Sequence, residues 1–197
     1  MAKIAWKPGT TIYPLPAVMV SMGKSPDEFN IITISWTGTI NSNPPMCYIS
    51  VRPERHSYHI LKQNMEFVIN LTNKDLVFAA DWCGVKSGRE FNKFEEMKLT
   101  PGKAQIVEAP LILESPLNIE CKVNRIIPLG SHHMFIADVV AVNADDKYLD
   151  PESGAFHFNS AGLISYAHGF YYKQGDELGN FGFSVKKKKE RWRKEKK

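Results

Sequence analysis

A mainly β fold that closes on itself as a barrel is what the sequence predicts, and three observations predict it. Apolar residues recur with period two in six separate runs, as side chains that alternate across a pleated strand require. These runs are rich in β-branched and aromatic residues and are bounded by Pro, Gly, Asn or Asp. Most connections between them are short, so successive strands pair antiparallel, which suits a barrel better than a βαβ sheet.

In chain order the runs are residues 15–22 (LPAVMVSM), 30–39 (NIITISWTGT), 46–52 (MCYISVR), 66–72 (EFVINLT), 118–130 (NIECKVNRIIPLG) and 133–144 (HMFIADVVAVNA). Two helices interrupt them. Residues 57–65 begin at Ser57, which can cap a helix, and residues 74–84 follow Asn73 and end at Gly84. Residues 85–104 (VKSGREFNKFEEMKLTPGKA) are polar and read as a long surface loop, a kind of segment that usually carries function or lacks order. A glycine-spaced, aromatic stretch, residues 161–185, follows the last strand. No internal repeat or second domain boundary is visible, so residues 1–185 are expected to form one domain and residues 186–197 a basic, unstructured tail.

Composition narrows the class. The chain has 197 residues and 43% hydrophobic content, enough for a core without staples. It contains no apolar run of about 18 residues and no secretory h-region near Met1, so a soluble cytoplasmic protein with no membrane association is expected. Cys47, Cys83 and Cys121 are widely spaced and form no CxxC pair, which points to reduced, buried side chains and to no metal site. Of the 25 basic and 21 acidic residues, nine and two fall in residues 186–197, leaving 16 and 19 in the body. The body is mildly acidic and the basicity belongs to the tail.

Residues 30–46 (NIITISWTGTINSNPPM) carry the first chemical signal. As one strand they set Ile32, Ile34 and Trp36 on one face and Thr33, Ser35, Thr37 and Thr39 on the other, before Pro44 and Pro45 end it. A row of hydroxyls is either the wet face of an amphipathic strand or the partner of a ligand with a polar edge, such as a flavin ring. Ser50 and Arg52 share a face of the next strand. With Arg55 and Ser57 at a helix start they form either a phosphate seat or a solvated turn. Ser87, Gly88, Arg89, Lys93 and Phe94 give the long loop the residues to close over a phosphate and a ring, or a plain charged surface. His132 and His133 begin a strand and point to opposite faces, which argues against one shared metal. No GxGxxG, GxxxxGK[ST] or GxSxG pattern is present, which disfavours a Rossmann domain, a P-loop and an α/β-hydrolase.

The segments YPLPAVMVS, NIITISWTGTINSNPPMCYISVRPERHSY, EFVINLT, DWCGVKSGREFNKF, ESPLNIECKV, PLGSHHMFIADVVAV and LGNFGFSV, in that order, resemble the flavin reductase-like, FMN-binding split-barrel family, and its flavoredoxin branch most. The resemblance extends to about Val185. It implies a Greek-key split β-barrel, a homodimer and one FMN per subunit. It further implies that Thr33, Ser35, Trp36 and Thr37 meet the isoalloxazine edge, and that Arg52, Ser57 and Lys93 reach the phosphate. Phe94 would lie near the ring and Asn70, Leu71 and Thr72 would border it, with Ser50, Val51 and Ser87 completing the cofactor-binding set. His132 matches a histidine on the nicotinamide side, with Ser131 where the family pattern has Asp. No residue is assigned as proton donor.

The function expected is an oxidoreductase that accepts hydride from NADH or NADPH, or electrons from a redox partner protein. It would pass them through FMN to a flavin, protein or metal-complex acceptor. Two rivals stand beside it. One is an electron carrier that does not itself turn over a nicotinamide. The other is a protein that binds nucleic acid or an anionic surface through Trp192 and the basic residues around it, a role disfavoured because the body lacks a matching basic patch. A pyridoxamine-phosphate oxidase-like or haem-handling barrel shares the fold without sharing the function.

Overall fold

The computed structural model describes residues 1–185; the basic tail, 186–197, lies outside the described residues. Among the described residues, twelve strands and three α-helices follow one another. The chain opens with β1 (Leu15–Pro16), β2 (Val18–Met22), β3 (Asn30–Ile34), β4 (Thr37–Ser42), β5 (Pro45–Val51), α1 (His56–Asn64), β6 (Glu66–Leu71), α2 (Val77–Val85) and α3 (Lys93–Glu96). It continues with β7 (Pro101–Gly102), β8 (Leu111–Ile112), β9 (Leu117–Pro128), β10 (His133–Ala144), β11 (Ile164–Ala167) and β12 (Phe170–Lys173). Among the described residues no helix is long and apolar enough to cross a membrane.

Seven strands form one antiparallel sheet in the order β3-β2-β6-β9-β10-β5-β4. Its two edge strands, β3 and β4, are neighbours in sequence, separated by Ser35 and Trp36 alone. The sheet therefore curls until its edges come side by side, and among the described residues no ladder joins β3 to β4; Ser50 N donates to Trp36 O at 2.9 Å and carries the β4–β5 pairing up to the break. This is the split of the barrel. The expected single strand over residues 30–39 is thus two strands, because the chain changes edges at Ser35. Trp36 is 37% exposed, whereas Thr37 is buried, the reverse of what one alternating strand predicts. Pro44 occupies the tight turn between β4 and β5, and Pro45 already belongs to β5.

Inside the barrel Val20, Met22, Ile49, Leu61, Phe67 and Phe135 pack into one core. The next residue along, Met19, faces outward and joins Ile31, Ala80, Cys83, Phe94 and Ile112 in a second core beneath α2 and α3. Both faces of β2 are therefore buried, as are those of most of β6. The three cysteines are free and buried, as expected. Residues 85–104 are not one open loop, because Lys93, Phe94, Leu99 and Ala104 are buried and tie the segment to the barrel.

The helix boundaries shift by one residue at each end of α1 and, for α2, by three at the start and one at the end. Asn73 caps the turn before α2 by accepting from Asp75 N and Leu76 N, as the sequence predicts. Ser57 does not cap α1. The N-cap is Arg55, whose side chain makes no capping bond, and Ser57 is buried with its Oγ accepting from Asn30 Nδ2 at 2.9 Å. A three-stranded sheet, β1-β11-β12, stands beside the barrel, so the aromatic segment after residue 161 is a hairpin.

Candidate functional site

The split of the barrel opens into a groove of two joined compartments. One, of about 390 Å³, lies against the Ser35–Trp36 break and has apolar walls from Ile32, Ile34, Val51 and Val85. The other, of about 430 Å³, lies between the start of α1 and the segment after α2. Ile32, Arg52, Arg55 and Gly84 line both, so the compartments are continuous.

Thr33, Ser35, Trp36, Ser50, Val51 and Arg52 all border the first compartment, as does His132. The hydroxyl row does not act as a row, however. Thr33 Oγ1 donates to Ala80 O and fixes α2 against β3. Thr37 Oγ1 donates to Tyr48 O at 2.6 Å and lies outside the groove. Polar edge chemistry in this compartment is left to Ser35 and Ser50 at the break. His132 and Trp36 have ring centroids 4.4 Å apart at its rim, and burial, then the nearby Arg52, lowers the imidazole's pKa. His133 points away, with Tyr58 Oη 2.7 Å from its Nδ1, so the two histidines do diverge.

Arg52, Ser57, Ser87 and Lys93 border the second compartment. Arg55, His56, Lys86 and Arg89 join them there, and this concentration of cations is its main feature. Arg52 pairs with Glu54 at 3.3 Å, but no described carboxylate pairs with Arg55, Lys86, Arg89 or Lys93. Lys93 is buried, and its Nζ donates to Ile31 O and Cys83 O, each at 2.7 Å. Burial, with Arg55 adding to it, lowers its pKa to about 8. His56 is lowered as well, by burial first and then by Arg89 and Lys93. The uncapped first turn of α1, with no acidic residue in it, adds unpaired N–H groups to the same wall. This lining has the charge and the donors that can hold a multiply charged anion.

Five of the expected contacts lie elsewhere. Phe94 is in the outer core, where its ring meets Phe29 at 6.1 Å, because α3 turns it inward. Asn70 is fully buried between β2 and β8. It donates to Met19 O and Ser21 Oγ, and accepts from Ile112 N and Asn118 Nδ2. Its work is to satisfy backbone groups of the barrel wall. Leu71 and Thr72 border a separate cavity of about 210 Å³ under β1 and β11. Thr37, described above, is the fifth.

Sequence reasoning passed over Asp81, Tyr166 and Tyr171, which border the first compartment. Tyr171 Oη donates to Asp81 Oδ1 at 3.1 Å and ties the β11–β12 hairpin to α2 across the groove. The signal for Asp81 was its position three residues before Gly84 on one helix face. Nothing local marks the hairpin tyrosines, because their place depends on where the small sheet docks.

The fold has counterparts. Flavoredoxin of Desulfovibrio vulgaris superimposes with a TM-score of 0.86 and 28% identity, covering 94% of this chain and all of that one. Flavoredoxin from Methanosarcina acetivorans gives a TM-score of 0.84 at 22% identity, with the same coverage. An uncharacterized protein of Archaeoglobus fulgidus is 26% identical over 139 residues, 71% of this chain and 77% of its own. The family model for the flavin reductase like domain matches residues 10–170. With its split β-barrel, the chain belongs to the flavin reductase-like family of flavin-related oxidoreductases.

Proposed function

We propose that the protein is an FMN-dependent oxidoreductase that passes electrons from NADH, NADPH or a redox partner through the flavin to a flavin, protein or metal-complex acceptor. The observation that carries this reading is the union of an apolar-walled compartment at the barrel split with a second compartment of unpaired cations. FMN has a flat ring, a polar ring edge and a phosphate dianion, and the groove offers a complement to each. When bound, FMN supplies the hydride and single-electron chemistry. Ile32, Ile34, Val51 and Val85 exclude water from the ring. Ser35, Ser50 and backbone groups at the break orient its polar edge. Arg55, Lys86, Arg89 and Lys93 neutralise the phosphate together with the first turn of α1. His132, held against Trp36, is the residue that a nicotinamide approaching the rim would meet.

A second reading is an electron carrier that is reduced by a partner protein, and the likeness to the Desulfovibrio flavoredoxin favours it. We further propose a homodimer, because Phe78, Val85 and Phe170 leave large apolar side chains exposed on α2 and the hairpin beside the groove. Sedimentation of the purified chain tests that.

The deciding experiment is an absorption spectrum after FMN loading and gel filtration, followed by anaerobic NADH or NADPH. Retained flavin that bleaches supports the oxidoreductase, and retained flavin that does not bleach supports the carrier. Absence of retained or titratable flavin overturns both.

A further inference from the structure

Helix α1 gives the cationic compartment one hydroxyl, that of Ser57, and a hydroxyl has no fixed direction of its own. It both donates and accepts, and it rotates to suit its neighbours. For Ser57 that neighbour is Asn30, at the start of β3, which donates from Nδ2 to Ser57 Oγ at 2.9 Å. An oxygen that already accepts still has its own proton to give, and no described protein acceptor takes it. Ser57 borders the compartment, whereas Asn30 does not.

We propose that Asn30 is a positioning residue for the anion: by donating to Ser57 Oγ it keeps the Ser57 proton directed into the cationic compartment. The inference rests on the flavin reading above and adds to it a residue that acts without touching the ligand. A buried hydroxyl aimed at a phosphate dianion makes a charge-assisted hydrogen bond, and the same hydroxyl turned round presents lone pairs to the anion.

Three features of the surroundings hold this arrangement. Asn30 and Ser57 are 4% and 3% exposed, so water does not compete for the bond or turn the hydroxyl round. The amide is also confined. The backbone of Gly88 lies so close that an added Cβ would stand 2.3 Å from Asn30 Oδ1, 2.8 Å from its Cγ and 3.0 Å from His56 Cδ2. Glycine thus lets the loop that carries Ser87 and Arg89 rest on Asn30, and the loop leaves the amide little room to swing away from Ser57. The next residue of β3 serves the neighbouring cation in a comparable way. Ile31 O and Cys83 O each accept from Lys93 Nζ at 2.7 Å, which leaves the third N–H of the ammonium for the compartment. The start of β3 therefore aims two buried donors, one through a side chain and one through a carbonyl, and a substitution can remove the first.

A double-mutant cycle on the full, flavin-free chain tests the assignment, with FMN and riboflavin read by flavin fluorescence and inorganic phosphate by phosphorus NMR line broadening. Ser57→Ala is expected to weaken FMN about tenfold, the order of one charge-assisted hydrogen bond, and to leave riboflavin unchanged. Asn30→Leu keeps the size of the side chain but removes the donor. It should weaken FMN about fivefold, and in the Ser57→Ala background it should add nothing. Asn30→Asp is isosteric and, when ionised, only accepts, so it turns the hydroxyl round and serves if the leucine variant does not fold. Its effect on FMN should be at least that of Ser57→Ala and should shrink in the Ser57→Ala background, where only the added charge acts. A loss from either Asn30 variant that is the same with and without Ser57, or that riboflavin shares, would make Asn30 a purely structural residue. Unchanged or tighter FMN binding in Asn30→Leu would show that Asn30 takes the Ser57 proton, the reverse of the proposal. If flavin does not bind but phosphate shows the same non-additive losses, Asn30 keeps its role and the flavin reading falls. A chain that binds neither FMN nor phosphate discards both.

Discussion

The two ends of the groove handle polar groups in opposite ways. At the barrel split they are spent on the protein itself: Thr33 Oγ1 donates to Ala80 O, Thr37 Oγ1 to Tyr48 O, Tyr171 to Asp81, and Trp36 O accepts from Ser50 N. At the start of α1 they are left over: Arg55, Lys86 and Arg89 have no carboxylate partner among the described residues, and no side chain caps the first turn of the helix. A fold that needed only stability would pair such charges or let them drift apart into solvent. The difference assigns orientation and water exclusion to one end and charge recognition to the other.

The comparison breaks most readily at the charged end. Replacing Arg55 and Arg89 together with alanine is expected to weaken FMN about a hundredfold, and each single change about tenfold, as charge-assisted hydrogen bonds are lost. Riboflavin, which has the ring without the phosphate, should be almost unaffected. Titration by flavin fluorescence measures both. An equal loss for the two ligands would mean that the arginines shape the ring site instead.

Lys93 sharpens the same contrast through pH. Its pKa of about 8 means that the ammonium present at neutral pH is lost as pH rises through that value. A phosphate dianion binds the charged form better, so FMN affinity relative to riboflavin should fall above pH 8. The slope should be no steeper than about tenfold per pH unit, the limit for one proton. The arginines stay charged over this range, and the Lys93→Gln variant should show a flat ratio. A wild-type ratio that is equally flat would show that Lys93 serves only Ile31 O and Cys83 O.

How much of this was legible in the sequence follows from the same distinction. Period two marked the barrel strands well, because each has an inward face on one continuous core. It failed at Ser35 and Trp36, where the chain leaves one sheet edge and becomes the other, since closure is a property of the whole sheet. It also hid the work of Met19 and Phe94, which pack on the outer face of the barrel. At the site, Arg52, Ser57 and Lys93 could be placed by resemblance to the family, and Arg55 and Arg89 by their charge. Asn70 could not be judged, because four of its five partners come from β2, β8 and β9, up to 51 positions away. Asp81 and Tyr171 meet across 90 positions, through the docking of a hairpin that no local pattern announces.

At the barrel split the expected effects fall on stability more than on charge. Thr33→Val keeps the shape of the side chain but removes its donor to Ala80 O, so α2 loses one anchor on β3. A net loss of about 1 kcal/mol is expected, read as a lower Tm in the flavin-free protein. FMN and riboflavin should then weaken together if at all, the reverse of the arginine result. A loss confined to FMN would show that the two ends are not separate in function.

Tyr171→Phe is the mildest of these changes and tests whether the hairpin is held by the bond to Asp81. Both residues are partly in water, so the bond should contribute only a few tenths of a kcal/mol at pH 7. Its pH dependence is more telling than its size. Burial, then the bond to Asp81, raises the Tyr171 hydroxyl from an ordinary value near 10 to about 12. Between those values the unfolded chain loses this proton while the folded chain keeps it. The folded state therefore has its advantage in full below pH 10 and loses it as pH rises through 12. The Tm difference between wild type and variant should accordingly be small and constant up to about pH 10 and shrink beyond it. A difference that does not change with pH would mean that the hairpin is held by the tilted contact between the Tyr166 and Tyr171 rings and by its strand pairing, with the hydroxyl a bystander.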